Sequence, residues 1–346
     1  WQETLVRWES EGMTPAWNWR DGLGLDPAPL LVPVELGFYP PFPEEILEDR
    51  GDRVLRRNRH GAVEERLKDA SSPPRPISYP IRTREDWDRL RERLDPDSPG
   101  RLPAHLDELA ADLATGDRVT RIGKYPYGFF GTLREWMGVE AFLIACLDDP
   151  EWVLEMMATL ADLWTAVYRR AARHIRIDWI HIWEDMSGRT GSLMSPDMVR
   201  TLMLPQYRRI RDTADAIGAT VVSVDTDGNV EELVPLFLSA GVGFLFPFEA
   251  GCGPDILAYR RRYPGLCMMG GIDKSRLAQG PDAIDRELDR VASLFDQPGW
   301  IPMLDHGIPP DVSLEQFHYY MRRLRDRLGV PHPVPRHPAD RLEAAP

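Results

Sequence analysis

Short apolar runs, each ending in polar or glycine residues, punctuate the second half of the chain and alternate with helical patterns. DWIHIW (178–183) ends in Glu184-Asp185, and ATVVSV (219–224) in Asp225-Thr226-Asp227-Gly228. GFLFPF (243–248) ends in Glu249, LCMM (266–269) in Gly270-Gly271-Ile272-Asp273-Lys274, and WIPML (300–304) in Asp305-His306-Gly307. Near-continuous apolar runs of this length read as parallel strands buried on both faces.

The intervening segments carry helix signals. Asp149-Pro150 opens an amphipathic stretch to about His174, with an N-cap aspartate and proline at the first helical position. Ser195-Pro196 starts a helix to Ile217 that Gly218 ends, and Asn229 caps 230–240, ended by Gly241. Gly280-Pro281 precedes a helix to about Asp296, and Ser313 caps the last one, to about Leu328. Five consecutive strand–helix units imply a parallel sheet with right-handed crossovers.

The first half is less regular. LLVPVEL (30–36) and VTRIG (119–123) are strand candidates. Between them 52–68 reads as a hairpin turning at His60-Gly61, followed by a Pro-rich connector (71–80) and a charged helix (83–94). Two candidates plus five give seven strands, where a closed barrel needs eight. Either one escapes the pattern or the first lies upstream of Trp1. The expected fold is α/β, a (β/α)8 TIM-type barrel forming a single domain over 1–346. The hairpin and Pro-rich stretch (52–80) form an insertion, and the tail (330–346) frays.

Charge narrows the partners. Lys plus Arg number 42 and Asp plus Glu 55, so the formal charge is −13. Such a chain is a poor match for nucleic acid or anionic lipid. No apolar run approaches the ~20 residues of a membrane span, and no signal peptide is read. The three cysteines, Cys146, Cys252 and Cys267, make no CxxC pair and no disulfide framework, which points to a reduced, cytoplasmic setting. Cys146 and Cys267 read as core residues. Cys252, in AGCG, could be a thiol near the site mouth.

In a barrel, catalytic groups sit where strands hand over to helices. The strand ends carry Glu35, Lys124-Tyr125, Glu184-Asp185, Asp225 with Asp227, Glu249, Asp273-Lys274 and Asp305-His306. So many carboxylates cannot all stay ionised in a dry space unless cations balance them. Lys124, Lys274, Arg189, a protonated His306, a metal or a cationic substrate could do so. Each aspartate has an equally good reading as a helix cap or turn residue. Gly228 and Gly307 read as turn glycines, and Gly270-Gly271 as a site of close backbone packing or ligand approach. Lys274 could form a Schiff base, but neutralising Asp273 or a substrate carboxylate is the simpler role.

At these residues the chain resembles the uroporphyrinogen decarboxylase superfamily. IWEDMSG (182–188) with SPDM (195–198) is similar to the segment where the decarboxylases have a serine-containing strand end, Asp185 taking the serine's place. VDTDGN (224–229) resembles their DG-containing strand end, LDHGIPPD (304–311) resembles the HG block whose histidine binds substrate, and GGIDK (270–274) supports the register. The first-strand arginine motif that would hold an octacarboxylate is not in the chain, and an acidic pocket opposes a polyanion. The resemblance extends to corrinoid-linked methyltransferases, many of which bind zinc through His-x-Cys and a later Cys. The positions matching that set are Asp225, Asp227 and His306. Two carboxylates and an imidazole make a harder site, suited to zinc, manganese or iron(II) with an oxygen ligand.

The expected function is therefore metal-assisted transfer of a methyl or other one-carbon group from an oxygen or nitrogen substrate. Zinc is the first choice of divalent metal, held by Asp225, Asp227 and His306, and a corrinoid protein is the methyl acceptor. Glu184, Asp185, Asp227 and His306 are the expected catalytic groups. Lys124, Tyr125, Glu249, Asp273 and Lys274 are the expected contacts to a small-molecule substrate. The alternative is a metal-independent decarboxylase, with Asp185 or Asp227 stabilising a cationic intermediate and His306 or Lys274 gripping a carboxylate. A non-catalytic binding protein is the third class. The resemblance also implies a homodimer.

Overall fold

All seven apolar runs contain strands. The computed structural model describes residues 2–13, 23, 25–69, 73–113 and 118–333. The tail beyond 333 and the first two residues of the Pro-rich connector lie outside the described residues. The chain divides into two compact units, residues 29–244 and residues 1–28 with 245–346.

In the 29–244 unit, β1 (Leu30–Leu31), β6 (Thr120–Ile122), β7 (Trp179–Trp183) and β10 (Val221–Asp225) form a parallel sheet in the order β1-β6-β7-β10. The register sets Arg121 beside Trp179, Ser223 beside His181 and Asp225 beside Trp183. Side chains alternate across a strand. One face carries Ile122, Ile180, Ile182, Val222 and Val224, all buried. The other carries Arg121, Trp179, His181, Trp183, Ser223 and Asp225. The expectation of strands apolar on both faces fails here, because this second face is polar.

Asp149 caps the helix Pro150–Ala171 by accepting from Trp152 N at 3.1 Å. That helix packs against Leu204–Ile217, which Gly218 ends in the left-handed conformation (φ +80°). The single helix expected over 196–217 is interrupted by a π-helical turn, Val199–Met203. Pro205 explains this, because it has no N–H to donate one turn back and its ring crowds that carbonyl. The helix expected over 230–240 is regular only over Val234–Ser239, although Asn229 does accept from Glu231 N.

The insertion is more regular than expected. Strands β3 (Arg53–Arg57) and β4 (Val63–Leu67) form the expected hairpin. They are flanked by β2 (Glu45–Asp49) and by β5 (Arg75–Ser78), the latter inside the supposed connector, in an antiparallel sheet β2-β3-β4-β5. Cross-strand ion pairs such as Arg53–Glu65 (3.2 Å) and Arg56–Glu64 (2.6 Å) lace it. Two short strands, β8 (Ser187–Gly188) and β9 (Gly191–Ser192), make a small hairpin after β7.

In the other unit, β11 (Phe244–Phe248), β12 (Cys267–Ile272) and β13 (Trp300–Leu304) lie in that order, β12 and β13 parallel. The last helix, Leu314–Leu328, starts with a full capping box between Ser313 and Gln316 and ends at Gly329. An N-terminal helix that the sequence did not suggest, Gln2–Ser10, docks on it. Trp8 stacks on Phe317 and donates to Val312 O, and Glu11 accepts from Leu314 N. Cys267, expected in the core, is exposed, because alternation along β12 turns Leu266 and Met268 inward and the residue between them out.

Candidate active site

The end of β7 is built around Glu184. Its side chain is fully buried, and its two carboxylate oxygens accept from the backbone N–H of Phe129 (2.9 Å), Phe130 (2.6 Å) and Gly131 (3.0 Å) and from the Tyr207 hydroxyl. These N–H groups are orphan donors of the first turn of helix Phe129–Met137. A Cβ on Gly131 would lie 2.2 Å from Trp183 O, so this turn can sit against the strand end only because a glycine is there. Burial pushes the Glu184 carboxyl up to about 7, while Tyr207 and the three N–H groups pull it down. Glu184 was expected to position substrate or move protons. With four donors on two buried oxygens, it is a fastener of the helix start.

Asp185 follows in the left-handed region (φ +46°), a strained conformation for a residue with a side chain. Arg134, from the same helix Phe129–Met137, holds it there, Nη1 donating to Asp185 O (2.8 Å) and Oδ2 (2.6 Å). The backbone N–H groups of Glu184 and Asp185 both donate to Asp225 O, at 2.8 and 3.2 Å, which locks the ends of β7 and β10 together.

Asp225 closes β10 with its side chain about a quarter exposed. Its carboxyl is raised to about 7 by burial first, then by Asp227 and Asp185, with Arg121 opposing. Among the described residues no group hydrogen-bonds its carboxylate, and its one ionic neighbour within 4.0 Å is His181 Nε2, at 3.8 Å. That imidazole is held neutral, since burial and then Arg121 lower it to about 3. His181 Nδ1 lies 3.2 Å from Ser223 Oγ, which also accepts from Trp179 Nε1 at 2.6 Å. Arg121 completes the face, its guanidinium carbon 5.2 Å from the Trp179 ring centroid.

Arg121, His181 and Ser223 were not among the expected site residues. Each lies in a different strand, and only the register assembles them into one face.

The remaining candidates divide by unit. In the 29–244 unit, Tyr125 is exposed and packs edge-on against Trp183, with ring centroids 4.5 Å apart. Lys124 is half-buried, its carbonyl accepting from Tyr127 N. Glu35 pairs with Arg59 at 2.7 Å, and Arg189 is exposed at the β8–β9 hairpin tip.

In the other unit, ligand atoms of Glu249 and His306 lie within 4.8 Å of each other. Glu249 and Asp273 line one cavity of about 260 Å3 with Arg276, Glu287 and Arg290. Asp273 is engaged by Ser275 N (2.9 Å) and Arg276 Nε (3.0 Å). Lys274, expected to neutralise Asp273, lies instead 3.4 Å from buried Asp305. The Asp305 carboxylate accepts from Ala250 N and Lys274 N at 3.1 Å each, joining the loops after β11 and β12 to the end of β13. Of the two readings of Gly270, the structure supports close packing, since a Cβ there would meet Phe248 N at 2.8 Å.

The family model for uroporphyrinogen decarboxylase (URO-D) matches residues 67–327. The chain belongs to the uroporphyrinogen decarboxylase family. It is 26% identical over 251 residues to uroporphyrinogen decarboxylase of Syntrophotalea carbinolica, covering 70% of this chain and 69% of that one. To that of Nocardia farcinica it is 25% identical over 182 residues, covering 48% of this chain and 46% of the relative, so the match spans about half that protein's length. A methyltransferase from Methanosarcina mazei shares the fold, with a TM-score of 0.53, 16% identity, and coverage of 75% of this chain and 73% of that one. The α/β fold of parallel strands is thus that of the uroporphyrinogen decarboxylase family, and no described helix is long and apolar enough to cross a membrane.

Proposed function

We propose that this uroporphyrinogen decarboxylase-family enzyme carries out metal-assisted transfer of a methyl or other one-carbon group from an oxygen or nitrogen substrate. The observation that carries the reading is Asp225, a partly buried carboxylate beside Asp227 and Asp185 with no hydrogen-bond donor of its own among the described residues. A carboxylate desolvated without a donor is unfavourable, and a bound cation would remove that penalty for Asp225 and offset its repulsion with Asp227. The donor set fits, since carboxylate oxygens suit zinc, manganese or iron(II). His306 keeps, on the strand-end pattern alone, the ligand role expected for it. A cation at this position would supply Lewis acidity toward a substrate oxygen or nitrogen.

The chain's own residues do the rest. Arg134 fixes Asp185 at its strand end, where its carboxylate faces the developing positive charge of a group being transferred. Glu184 keeps the helix start in place. A corrinoid protein as acceptor, closure of the sheet into a single-domain (β/α)8 barrel, a cytoplasmic setting and a homodimer belong to the same proposal. A second reading, decarboxylation of a non-porphyrin substrate, is favoured by the activity named for the relatives above.

Metal titration separates the two. The purified apo-protein is titrated with zinc, manganese and iron(II) alongside the Asp225→Asn, Asp227→Asn double variant. The proposal expects saturable binding by the wild type, weakened about 100-fold or more in the variant. Equal, weak binding by both proteins ends the metal reading and promotes decarboxylation.

A further inference from the structure

The polar face of the β6-β7-β10 sheet holds two unmatched charges. Arg121, near mid-face, has a half-buried guanidinium with no hydrogen-bond acceptor and no carboxylate within 4.0 Å among the described residues, and its Nε is fully shielded and unpartnered. Two strands away Asp225 is a carboxylate without a donor. The two sense each other electrostatically yet are not in contact. Protein arginines taken out of water ordinarily find carbonyls or carboxylates. Arg101 in the same unit shows this: fully buried, it donates to the carbonyls of Glu35, Gly37, Arg93 and Asp95. Arg121 has only the flat face of Trp179. A desolvated cation left in this state is costly, and the cost is recovered when a ligand brings the missing anion.

We infer that Arg121, stacked on Trp179, is the seat for a carboxylate of the substrate. The inference rests on reading this sheet face as the substrate side, and it deepens that reading by naming the substrate class. Three features select a carboxylate. A guanidinium offers paired N–H groups in one plane, which a carboxylate matches with two parallel bonds. The indole of Trp179 lies under one face of the guanidinium, so an incoming anion meets the edge that carries the paired N–H groups. The carboxylates of Asp185, Asp225 and Asp227 on the same strand ends repel a dianionic phosphate more than a monoanion. A carboxylate gripped by arginine is stabilised in its ionised ground state, so it is a group by which the substrate is recognised and not the one that departs as carbon dioxide.

Calorimetric titration of the metal-free, chelator-treated protein tests this without turnover. The probes are benzoate, its neutral isostere benzamide, and phenyl phosphate. The expected result is benzoate binding at least about tenfold tighter than benzamide or phenyl phosphate, the worth of one charge-assisted bidentate pair. Arg121→Gln should abolish that preference and Arg121→Lys retain part of it, both with thermal melts that report a folded protein. The wild-type comparison stands even if a variant misfolds. Equal affinity for benzoate and benzamide, no binding of either, tighter binding of phenyl phosphate, or an undiminished preference in a folded Arg121→Gln protein would each overturn the seat. Benzoate preference without metal binding removes the metal reading and leaves the seat; metal binding without benzoate preference does the reverse.

Discussion

Single residues set this strand-end region through what they leave satisfied or unsatisfied. Glu184 shows the satisfied case, with every acceptor position in use. Truncation to alanine strands three buried N–H groups and a hydroxyl, so Glu184→Ala should lose about 3 kcal/mol or more of unfolding free energy in urea. The Glu184 carboxyl is raised from 4.5 to about 7 in the folded state. A raised carboxyl favours the folded state while protonated, so its contribution is full below about 4.5 and is lost as pH rises through about 7. Glu184→Gln removes this titration. The stability difference between wild type and Glu184→Gln should therefore shift against the wild type across that window, as measured by urea unfolding at successive pH values. A flat difference would mean that the four donors hold Glu184 ionised throughout.

At the scale of elements, the junction of β7 with helix Phe129–Met137 is closely packed backbone against backbone. Gly128 and Gly131 bring the helix start so close to Trp183 O that an added Cβ would lie 1.9 or 2.2 Å from it. The obstacle is backbone and cannot rotate away, so Gly131→Ala should cost about 1–3 kcal/mol. Gly188→Ala, where an added Cβ meets nothing within 4 Å, is the control and should fall within about 0.5 kcal/mol of wild type. Element boundaries were legible where a cap carried them: Asp149-Pro150, Gly218, and Ser313 with Gln316 all sit where the sequence placed them. They were illegible where tertiary pairing decided the outcome. β5 lies within a Pro-rich stretch and forms because β4 offers it a free edge, and the helix Gln2–Ser10 lacks a strong pattern of its own and is held by Trp8 on Phe317.

Over the whole molecule, the alternation of strands and helices was readable because it is written in local hydrophobic periodicity. The strand ends were readable because they follow from that alternation. The polar sheet face was not, since three polar residues scattered 40 to 60 positions apart become one surface only through the register Arg121–Trp179 and Ser223–His181. Nor could the chain show beforehand which carboxylates are in use. Glu184 and Asp305 both proved to be fasteners of loops and helix starts, while Asp225 kept its oxygens open. Partner count separates these acids by how many donors each one holds, and the sequence does not carry it.

The indole N–H of Trp179 can only donate a hydrogen bond, and Ser223 Oγ accepts it. A serine that accepts from one side is free to direct its own hydrogen elsewhere, and His181 Nδ1 stands 3.2 Å away. When that hydrogen is directed to Nδ1, the bonds run from indole to hydroxyl to imidazole, and the neutral ring carries its own hydrogen on Nε2, the nitrogen turned toward Asp225. A ring in that form has no lone pair to offer a cation beside Asp225; it offers a donor. Trp179→Phe would release the serine and with it the choice of tautomer. Nitrogen-15 shifts of His181 should report a protonated Nε2 in the wild type and a mixture of both tautomers in the variant.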